Sequence, residues 1–360
     1  MKIIKKISLL DINSYMYDII NNDEVREVDY MYIITKSVLA LMIGFIISAI
    51  VGMILVPFLK KKKAEQITSK YVEKHKSKSG TPTMGGLMFN ISTIITILVL
   101  FLLKKMNINN NILIILFVFL SYAFIGFIDD FLKIKNRAND KGLTSIQKFI
   151  LQVIVAIVFF YLYVKTGASL SLEIESLNIN IDLGFMYGFF ILFMLVGSSN
   201  AVNLTDGLDG LAGGLSAIAF LVYGLIAWNS SWLSGYDDIA IFCFILVGGI
   251  LGFLIFNFHP AKIFMGDTGS LALGATLAAV AILTHREFTL AIVGGVFVIE
   301  TLSVILQISS IYIRKKKIFP MTPLHHTFEK LGWKELDIVR LYYVIGFILS
   351  IAALIYTVWI

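Results

Sequence analysis

The sequence predicts an all-α integral membrane protein with about ten transmembrane helices, and three observations support this fold class. Hydrophobic residues make up 58% of the 360-residue chain, and charged residues only 15%. A soluble globular domain has about 25% charged residues, so the composition excludes that class. Apolar runs recur from about residue 37 to the C-terminus, which excludes a soluble protein with a single membrane anchor. Basic residues cluster between alternate runs, as they do in cytoplasmic loops.

Individual spans follow from the lengths of the apolar runs. A helix needs about 20 apolar residues to cross the hydrocarbon core of a bilayer, with about 17–25 tolerated. The residues before 34 are predicted to form a polar N-terminal extension (1–33), and residues 34–360 a single polytopic membrane domain with catalytic cytoplasmic loops. The ten predicted spans are 34–59, 86–103, 112–128, 149–164, 185–202, 211–228, 239–256, 270–284, 289–313 and 338–359.

Lysine and arginine are concentrated in the loops after spans one, three and nine, for example in the runs Lys60–Lys63 and Arg314–Lys317. The positive-inside rule therefore places these loops in the cytoplasm and both termini outside. This topology, together with anionic lipid headgroups, accounts for the net charge of +6 without a nucleic-acid partner. The predicted location is a cell membrane, with the functional loops facing the cytoplasm.

One outer loop has a different pattern from the rest of the chain. Apolar and polar residues alternate between Thr166 and Leu183. Such alternation predicts a short external β-hairpin, with its turn near Leu177 and Asn178.

Five aspartates lie at the predicted cytoplasmic ends of the spans. A carboxylate costs about 2.5–3.5 kcal/mol at the centre of a membrane helix and less near the interface, so such residues usually have a function. Their position beside lysine-rich loops indicates a metal-dependent site for a phosphorylated substrate. A secondary transporter is the alternative from another class, but transport sites usually lie near the midplane and often accompany internal repeats, and no repeat is evident here. The aspartates are Asp129, Asp130, Asp206, Asp209 and Asp267.

The first acidic motif is Asp129-Asp130 at the end of span three, followed one turn later by Lys133. Adjacent residues of a helix point about 100° apart, so the two carboxylates cannot form a simple clamp on one ligand. One can serve as a base or metal ligand while the other orients the lysine. The alternative is a solvated helix end with an ion pair between residues three apart.

The second motif runs from Asn203 to Gly210 and joins spans five and six. Its glycines permit a tight turn, and Asp206 or Asp209 can accept a hydrogen bond from a ring N–H or a sugar hydroxyl. An ordinary polar turn is the alternative.

The third motif runs from Asn257 to Ser270. Asp267 follows a glycine at a helix start, where it can hold Mg²⁺ while backbone amides meet phosphate oxygens. Phe264 offers a face on which a base can stack. The alternative is helix capping, with Asp267 or Thr268 capping span eight. Capping alone leaves Phe264 and Asn257 unexplained.

Two further loops have weaker signals. Lys78 and Thr83 belong to a glycine- and hydroxyl-containing loop that suits phosphate contacts, although it is not a Walker loop. His325 and His326 can donate to a diphosphate, and adjacent histidines make a poor zinc pair. The alternatives are a flexible loop entering a helix and a pair of exposed histidines.

Taken in order, these segments resemble the phospho-N-acetylmuramoyl-pentapeptide transferase family of the polyprenyl-phosphate N-acetylhexosamine-1-phosphate transferase superfamily, over roughly residues 40–360. The resemblance implies transfer of phospho-MurNAc-pentapeptide from UDP to undecaprenyl phosphate, giving lipid I and UMP with Mg²⁺ as cofactor. It also implies ten spans, a cytoplasmic cleft, a location in the bacterial plasma membrane and, commonly, a homodimer. The matching segments are Gly-Thr-Pro-Thr-Met-Gly-Gly, Asp-Asp, Asn-Leu-Thr-Asp-Gly-Leu-Asp-Gly, Phe-Met-Gly-Asp and Pro-Leu-His-His.

The resemblance also implies roles for individual residues. Asp267 resembles the Mg²⁺ ligand and Asp129 the base toward the lipid phosphate, with Asp130 and Lys133 beside them. The family usually has a third histidine after His326, where this chain has Thr327. The nucleotide pocket is expected to involve Asn203, Asp206, Asn257 and Phe264, with Lys78 and Thr83 close to it.

Two alternatives remain within this resemblance. A related transferase that uses UDP-GlcNAc is disfavoured by the Pro-Leu-His-His and Gly-Thr-Pro-Thr-Met-Gly-Gly segments. The sequence also leaves open whether the lipid phosphate attacks directly or an aspartate first forms a covalent intermediate. Direct attack is favoured, because Asp267 as a nucleophile would have to leave the metal that it is expected to hold.

Overall fold

The computed structural model describes residues 9–62, 64, 80–138, 141–174, 179–230 and 235–359, with side chains from residue 34 to 357 within these ranges. This part of the chain is mostly helical, with one two-stranded sheet and short 3₁₀ and π segments at Gly184–Met186 and Ile355–Trp359. The helices are α1 (Leu9–Lys61), α2 (Gly86–Leu102), α3 (Asn110–Asn136), α4 (Ser145–Lys165), α5 (Tyr187–Thr205), α6 (Leu211–Asn229), α7 (Tyr236–Asn257), α8 (Asp267–Leu283), α9 (Glu287–Val293), α10 (Gly295–Arg314), α11 (Leu324–Lys330) and α12 (Glu335–Leu354).

Within the described residues, eight helices are long and apolar enough to cross a membrane. Two other apolar helices, α2 and α8, have 17 residues each. At 1.5 Å per residue, such a helix is about 25 Å long, close to the lower limit for a span. The predicted helical membrane fold is confirmed. The eight are Ile34–Lys61, Asn110–Asn136, Ser145–Lys165, Gly184–Thr205, Leu211–Asn229, Tyr236–Asn257, Gly295–Arg314 and Glu335–Thr357.

Several helix boundaries differ from the predicted spans; α1, for example, begins at Leu9 and not at residue 34. The predicted span 289–313 is divided between α9 and α10 by a break at Gly294, because the glycine pair Gly294–Gly295 permits a bend that an apolar pattern does not reveal. Helix α3 continues to Asn136, beyond the predicted end at residue 128. Its hydrogen bonds extend past its apolar run, so Asp129, Asp130 and Lys133 lie inside a regular helix.

Helix α8 lies at the centre of the fold, since every residue from Thr268 to Leu283 is buried. Neighbouring helices approach its backbone through glycines, which allow close helix contacts in membrane proteins. A Cβ added to Gly126 of α3 would collide with the Asp267 carbonyl, and one added to Gly86 of α2 would collide with the Gly269 backbone. This packing fixes Asp267, the first residue of α8, between α2 and α3.

The predicted β-hairpin is present. Strands β1 (Ser171–Ile174) and β2 (Ile179–Asp182) pair antiparallel, with Ser171 opposite Asp182 and Ile174 opposite Ile179. The predicted turn at Leu177 and Asn178 lies outside the described residues.

Candidate active site

Two lysines bridge two aspartates in what we call the lysine–aspartate cluster (Asp129, Lys133, Lys148 and Asp267). Asp129 is fully buried, and its Oδ2 lies 2.5 Å from Lys133 Nζ and 3.0 Å from Lys148 Nζ. Lys148 Nζ also lies 2.5 Å from Asp267 Oδ2, and Lys133 Nζ lies 3.5 Å from Asp267 Oδ1. The cluster therefore joins α3, α4 and α8 through charged side chains. Within α3, Lys133 forms its ion pair with Asp129, four residues earlier, and the predicted pair between residues three apart is not formed.

Asp130 has a different role from its neighbour, because its carboxylate caps α8. Its Oδ1 accepts a hydrogen bond from the Asp267 amide at 3.2 Å, and its Oδ2 accepts from the Thr268 amide at 2.9 Å and the Thr268 hydroxyl at 2.7 Å. Carboxylates stabilise helix N-termini by accepting from free amides and opposing the helix dipole. The alternative that Asp267 or Thr268 caps this helix is wrong, since residue 266 occupies the N-cap position without a side-chain cap.

Asn203 connects the end of α5 to the start of α8. Its Nδ2 donates to Asp267 Oδ1 at 3.0 Å and to Ser270 Oγ at 2.8 Å. The Asp267 carboxylate thus receives an amide from α5 as well as the two lysines. Asn203 therefore lies beside the lysine–aspartate cluster and orients the Asp267 carboxylate, for which the resemblance implies metal binding.

The carboxylates fit a magnesium ion. Asp129, Asp130 and Asp267 each offer an oxygen, and these oxygens lie within 4.8 Å of one another. Mg²⁺ prefers oxygen ligands and is usually held by one or two carboxylates together with substrate phosphates. The side chain of Asp267 is 13% exposed and that of Asp129 is fully buried, while both Asp130 oxygens accept bonds from α8. Asp267 is therefore the carboxylate best placed to meet a metal ion with its substrate.

A second group, the loop cluster (Asp209, His259 and Glu335), lies where two loops meet the start of α12. Asp209 is buried, and its Oδ2 lies 3.0 Å from His259 Nδ1 and accepts from the Ala261 amide at 3.1 Å. Glu335 Oε1 accepts from the Asp209 amide at 2.7 Å, and its Oε2 lies 3.5 Å from His259 Nδ1. These contacts join the 206–210 loop to the 258–266 loop and to the start of α12.

Asn257 joins the same loops. It is buried at the end of α7, its Oδ1 accepts from the Gly210 amide at 3.0 Å, and its Nδ2 donates to the Ile263 carbonyl at 2.8 Å. Both ends of the side-chain amide therefore bind backbone. Asn257 therefore holds the 206–210 loop to the 258–266 loop.

The loop before α2 pairs with the segment before α8. The Phe264 amide donates to the Pro82 carbonyl at 2.8 Å, and the Gly85 amide donates to the Phe264 carbonyl at 2.8 Å. Phe264 is half-buried and Thr83 is buried. Asp206 is half-buried in the turn after α5, and Lys78 lies outside the described residues. Thr83, Phe264 and Asp267 are thus brought to one side of the fold.

The histidine pair is divided between a buried and a partly exposed residue. His325 is fully buried, its amide donates to Glu300 Oε1 at 3.1 Å, and its Nδ1 lies 3.3 Å from Glu300 Oε2. Burial lowers the pKa of His325 below its ordinary value, although Glu300 opposes this effect. A Cβ added to Gly207 would collide with His325 Nε2, so the ring abuts the 206–210 loop. The alternative of two exposed loop histidines is therefore wrong for His325.

The next two residues of α11, His326 and Thr327, also have specific partners. His326 has a side chain that is 16% exposed and pairs through Nδ1 with Glu329 Oε2 at 2.7 Å. Thr327, at the position where the family usually has a third histidine, donates its hydroxyl to the Met321 carbonyl. Thr327 therefore fixes the turn that precedes α11.

Lys148 is the principal site residue that sequence reasoning missed. In the sequence it is only a lysine that directly precedes the predicted span 149–164. A local signal for its position exists, because Thr144 and Gln147 form a capping box at the start of α4 and so predict that Lys148 lies in the first turn of a helix. Its bonds to Asp129 and Asp267 depend on the packing of α4 against α3 and α8, which no local pattern predicts.

Comparisons with known proteins agree with this arrangement. Residues 112–285 match the glycosyl transferase family 4 model, and residues 78–89 match signature 1 of phospho-N-acetylmuramoyl-pentapeptide-transferase. The chain is 48% identical over 325 residues to the phospho-N-acetylmuramoyl-pentapeptide-transferase of Geobacillus thermodenitrificans, covering 90% of this chain and 98% of the relative. It is 47% identical over 320 residues to that of Bacillus subtilis, covering 89% of this chain and 97% of the relative. The chain belongs to the phospho-N-acetylmuramoyl-pentapeptide-transferase family.

Proposed function

We propose that this protein transfers phospho-MurNAc-pentapeptide from UDP-MurNAc-pentapeptide to undecaprenyl phosphate, giving lipid I and UMP. The main supporting observation is the lysine–aspartate cluster, in which Lys133 and Lys148 both lie within 3.5 Å of carboxylate oxygens of Asp129 and Asp267. Phosphoryl transfer requires positioned reactants and neutralised charge more than covalent chemistry. A pair of lysines held by Asp129 and Asp267 provides both.

The two lysines are proposed to exchange part of their contact with carboxylates for contact with phosphate oxygens. Their side chains are 26% and 22% exposed, so a phosphorylated ligand can reach them. Asp129, which is buried and receives the Leu143 amide at 2.7 Å, keeps the lysines oriented and is the proposed base toward the lipid phosphate. Direct attack by that phosphate remains the favoured route, because Asp267 is engaged by Lys148 and Asn203.

Mg²⁺ is the proposed cofactor, with Asp267 as its principal ligand. When bound, the ion would neutralise charge on the diphosphate of the donor. Asp130 contributes indirectly, because its carboxylate fixes the first turn of α8 and hence the direction of the Asp267 side chain.

The nucleotide is proposed to bind beside this cluster, between the 206–210 loop and Phe264. Phe264 would stack on the uracil ring, and Asp206 would accept from its polar edge. Lys78, Thr83 and Asn257 are proposed to complete the pocket, Asn257 by holding its walls. His325 and His326 would lie on the opposite side of the 206–210 loop, where His325 contacts Gly207.

We further propose a membrane topology of ten spans, obtained by counting α2 and α8 with the eight longer helices and treating α9 and α10 as one interrupted span. Both termini would lie outside, the hairpin would be external, and the site would face the cytoplasm of a bacterial plasma membrane. Residues 1–33 would form an extension to a single membrane domain, 34–360, and a homodimer is expected from the family.

Cysteine labelling checks this topology. Introduced at Lys62, Lys141 or Lys316, a cysteine should react only from the cytoplasm, and at Ser171 only from outside, after Cys243 has been replaced. The reason is the asymmetry of basic residues between the loops. Opposite accessibility of positions 141 and 316 would contradict the ten-span arrangement.

The function is tested with purified protein, undecaprenyl phosphate and Mg²⁺, offered either UDP-MurNAc-pentapeptide or UDP-GlcNAc. We expect lipid I and UMP from the first donor and no lipid product from the second. Product formed only from UDP-GlcNAc would replace this proposal with the related transferase activity.

A further inference from the structure

Two side chains of helix α12 bind backbone groups of two successive residues in the 206–210 loop. Glu335, in the first turn of α12, accepts from the Asp209 amide at 2.7 Å. Tyr343, two turns further along, donates its hydroxyl to the Gly210 carbonyl at 2.6 Å. These residues approach the loop from the C-terminal helix, and neither belongs to the segments that carry the family resemblance.

The packing around Tyr343 shows that its position is specific. A Cβ added at Gly214 of α6 would collide with the Tyr343 ring, so the ring lies directly on the first turn of that helix. Gly210 has φ +82°, a conformation that glycine adopts without strain, and a Cβ there would lie 3.0 Å from Phe258 Cδ1. The carbonyl that receives the Tyr343 hydroxyl is thus held in a conformation that leaves little room for adjustment.

The opposite side of the loop is held from the α7–α8 connection. The Asp209 carboxylate contacts His259 and the Ala261 amide, and Asn257 accepts from the Gly210 amide. Glu335 links the two sides, because its Oε1 binds the Asp209 amide while its Oε2 lies 3.5 Å from His259 Nδ1. Its side chain is 12% exposed, so little water competes for these bonds.

We propose that Glu335 and Tyr343 are positioning residues that hold the 206–210 loop in the conformation that binds the nucleotide part of the donor. The inference deepens the proposed function and rests on it, since it assigns to α12 the geometry of the loop that carries Asp206. Without these anchors, the loop would occupy the binding conformation for a smaller fraction of the time. Apparent affinity falls in proportion to that fraction.

The lysine–aspartate cluster provides the contrast that makes the proposal testable. It is held by bonds among α3, α4, α5 and α8, and the bonds of Glu335 and Tyr343 described above go to the 206–210 loop and to His259. Loss of the α12 anchors should therefore raise KM for the UDP-linked donor and leave kcat and the KM for undecaprenyl phosphate nearly unchanged. A general loss of folding would reduce the active fraction and lower kcat.

The test compares Tyr343→Phe and Glu335→Ala with two matched controls, one on α12 and one in the π segment that follows it. Tyr356→Phe removes a hydroxyl beyond the other end of α12, and Asp337→Ala removes an exposed carboxylate from its first turn. One net hydrogen bond corresponds to about a fivefold change in binding. We expect each test variant to raise the donor KM and the dissociation constant of UMP by about fivefold or more, and each control to change them less than twofold.

A conservative variant separates positioning from charge. Glu335→Gln keeps an oxygen that can accept from the Asp209 amide, so its donor KM should lie closer to that of the wild type than the KM of Glu335→Ala. If Tyr343→Phe and Glu335→Ala leave donor KM and UMP affinity unchanged, the inference is wrong. It is also wrong if they lower kcat at constant KM.

Hydrogen–deuterium exchange makes the inference independent of turnover. Peptides containing residues 206–210 should exchange faster in Glu335→Ala and Tyr343→Phe than in the wild type, while peptides from α3 should be unchanged. Unaltered exchange in that loop would overturn the proposed anchoring even if the enzyme used another donor. A second outcome separates the two proposals. If the wild-type protein makes no lipid I, but the variants still show faster exchange and weaker UMP binding, the proposed function is wrong and the loop anchoring is supported.

Discussion

The lysine–aspartate cluster, taken with Asp130, and the loop cluster each bring three potential metal ligands within 4.8 Å of one another, yet their bonding partners differ. In the first, Asp129 and Asp267 are joined by the side chains of Lys133 and Lys148. In the second, Asp209 and Glu335 also bind backbone amides. Lysine side chains can turn toward an incoming phosphate, whereas backbone amides cannot move without moving their loops. Asp267, held by lysine and asparagine side chains, is therefore the carboxylate whose partners can turn toward a phosphate, whereas Asp209 and Glu335 hold loops in place.

Exposure supports the same distinction. The Asp267 side chain is 13% exposed and that of Asp209 is 2% exposed. A carboxylate that must meet a metal ion and a substrate needs an open side, while one that joins loops is better shielded from water. The predictions below test whether this difference corresponds to different functions.

The largest effect should come from Asp267, the partly exposed carboxylate of the lysine–aspartate cluster. Asp267→Asn removes a charged ligand with almost no change in volume, so turnover should fall by about 10³-fold, the upper range for loss of one preorganised electrostatic group. Initial rates across a Mg²⁺ titration provide the measurement, with Asp337→Asn as an exposed control. Near-normal activity of Asp267→Asn at low Mg²⁺ would remove this residue from the metal role.

Lys148→Met should have the next largest effect, because it removes one of the two cations and keeps much of the apolar stem. We expect kcat to fall by about 10²-fold, with the affinity for uridine, which has no phosphate, unchanged. Lys141→Met, an exposed lysine of the connection between α3 and α4, is the matched control. Weaker uridine binding with normal kcat would assign Lys148 to the nucleotide pocket.

Phe264→Ala and Asp206→Ala should weaken nucleotide binding and leave the rate of the chemical step nearly unchanged. Loss of a stacking partner costs about 1–3 kcal/mol, and loss of a charged hydrogen bond about 1.5–3 kcal/mol. Calorimetric titration with UMP and with a UDP-sugar should therefore show a decrease in affinity of about 10–100-fold for each. If both variants affected only undecaprenyl phosphate, the two substrate pockets would be the reverse of those proposed.

The smallest effect concerns pH. Burial lowers the pKa of His325, so the unfolded state binds a proton more readily than the folded state. Stability from the neutral ring should be complete above the ordinary histidine pKa of about 6.5 and be lost as the pH falls below it, by at most about 1.4 kcal/mol per pH unit. Thermal unfolding in detergent between about pH 5 and pH 8 should show this decline, and His325→Gln should reduce it. An equal decline in both proteins would assign it to other groups.

Sequence reasoning predicted the helical membrane fold, the hairpin and the family because each leaves a local pattern in the chain. Apolar runs identify helices, but they do not reveal the break at Gly294 or the continuation of α3 to Asn136. The roles of Asp130 and Lys148 depend on packing between helices distant in sequence: Asp130 caps a helix that begins 137 residues later. In the sequence, Glu335 and Tyr343 look like ordinary residues of the last helix, since only the folded chain brings them to Asp209 and Gly210.

The anchoring of the 206–210 loop by α12 also has a consequence for biosynthesis. Chains are made from the N-terminus, so α3, α4, α5 and α8 emerge from the ribosome before Glu335 and Tyr343. The lysine–aspartate cluster can assemble once α8 has been inserted, whereas the 206–210 loop would be held only from the α7–α8 connection until the last helix arrives. A nascent chain would thus form the lysine–aspartate cluster first and the nucleotide-binding conformation of the loop last. Arrested translation products that lack α12 would therefore compete poorly with complete molecules for the donor.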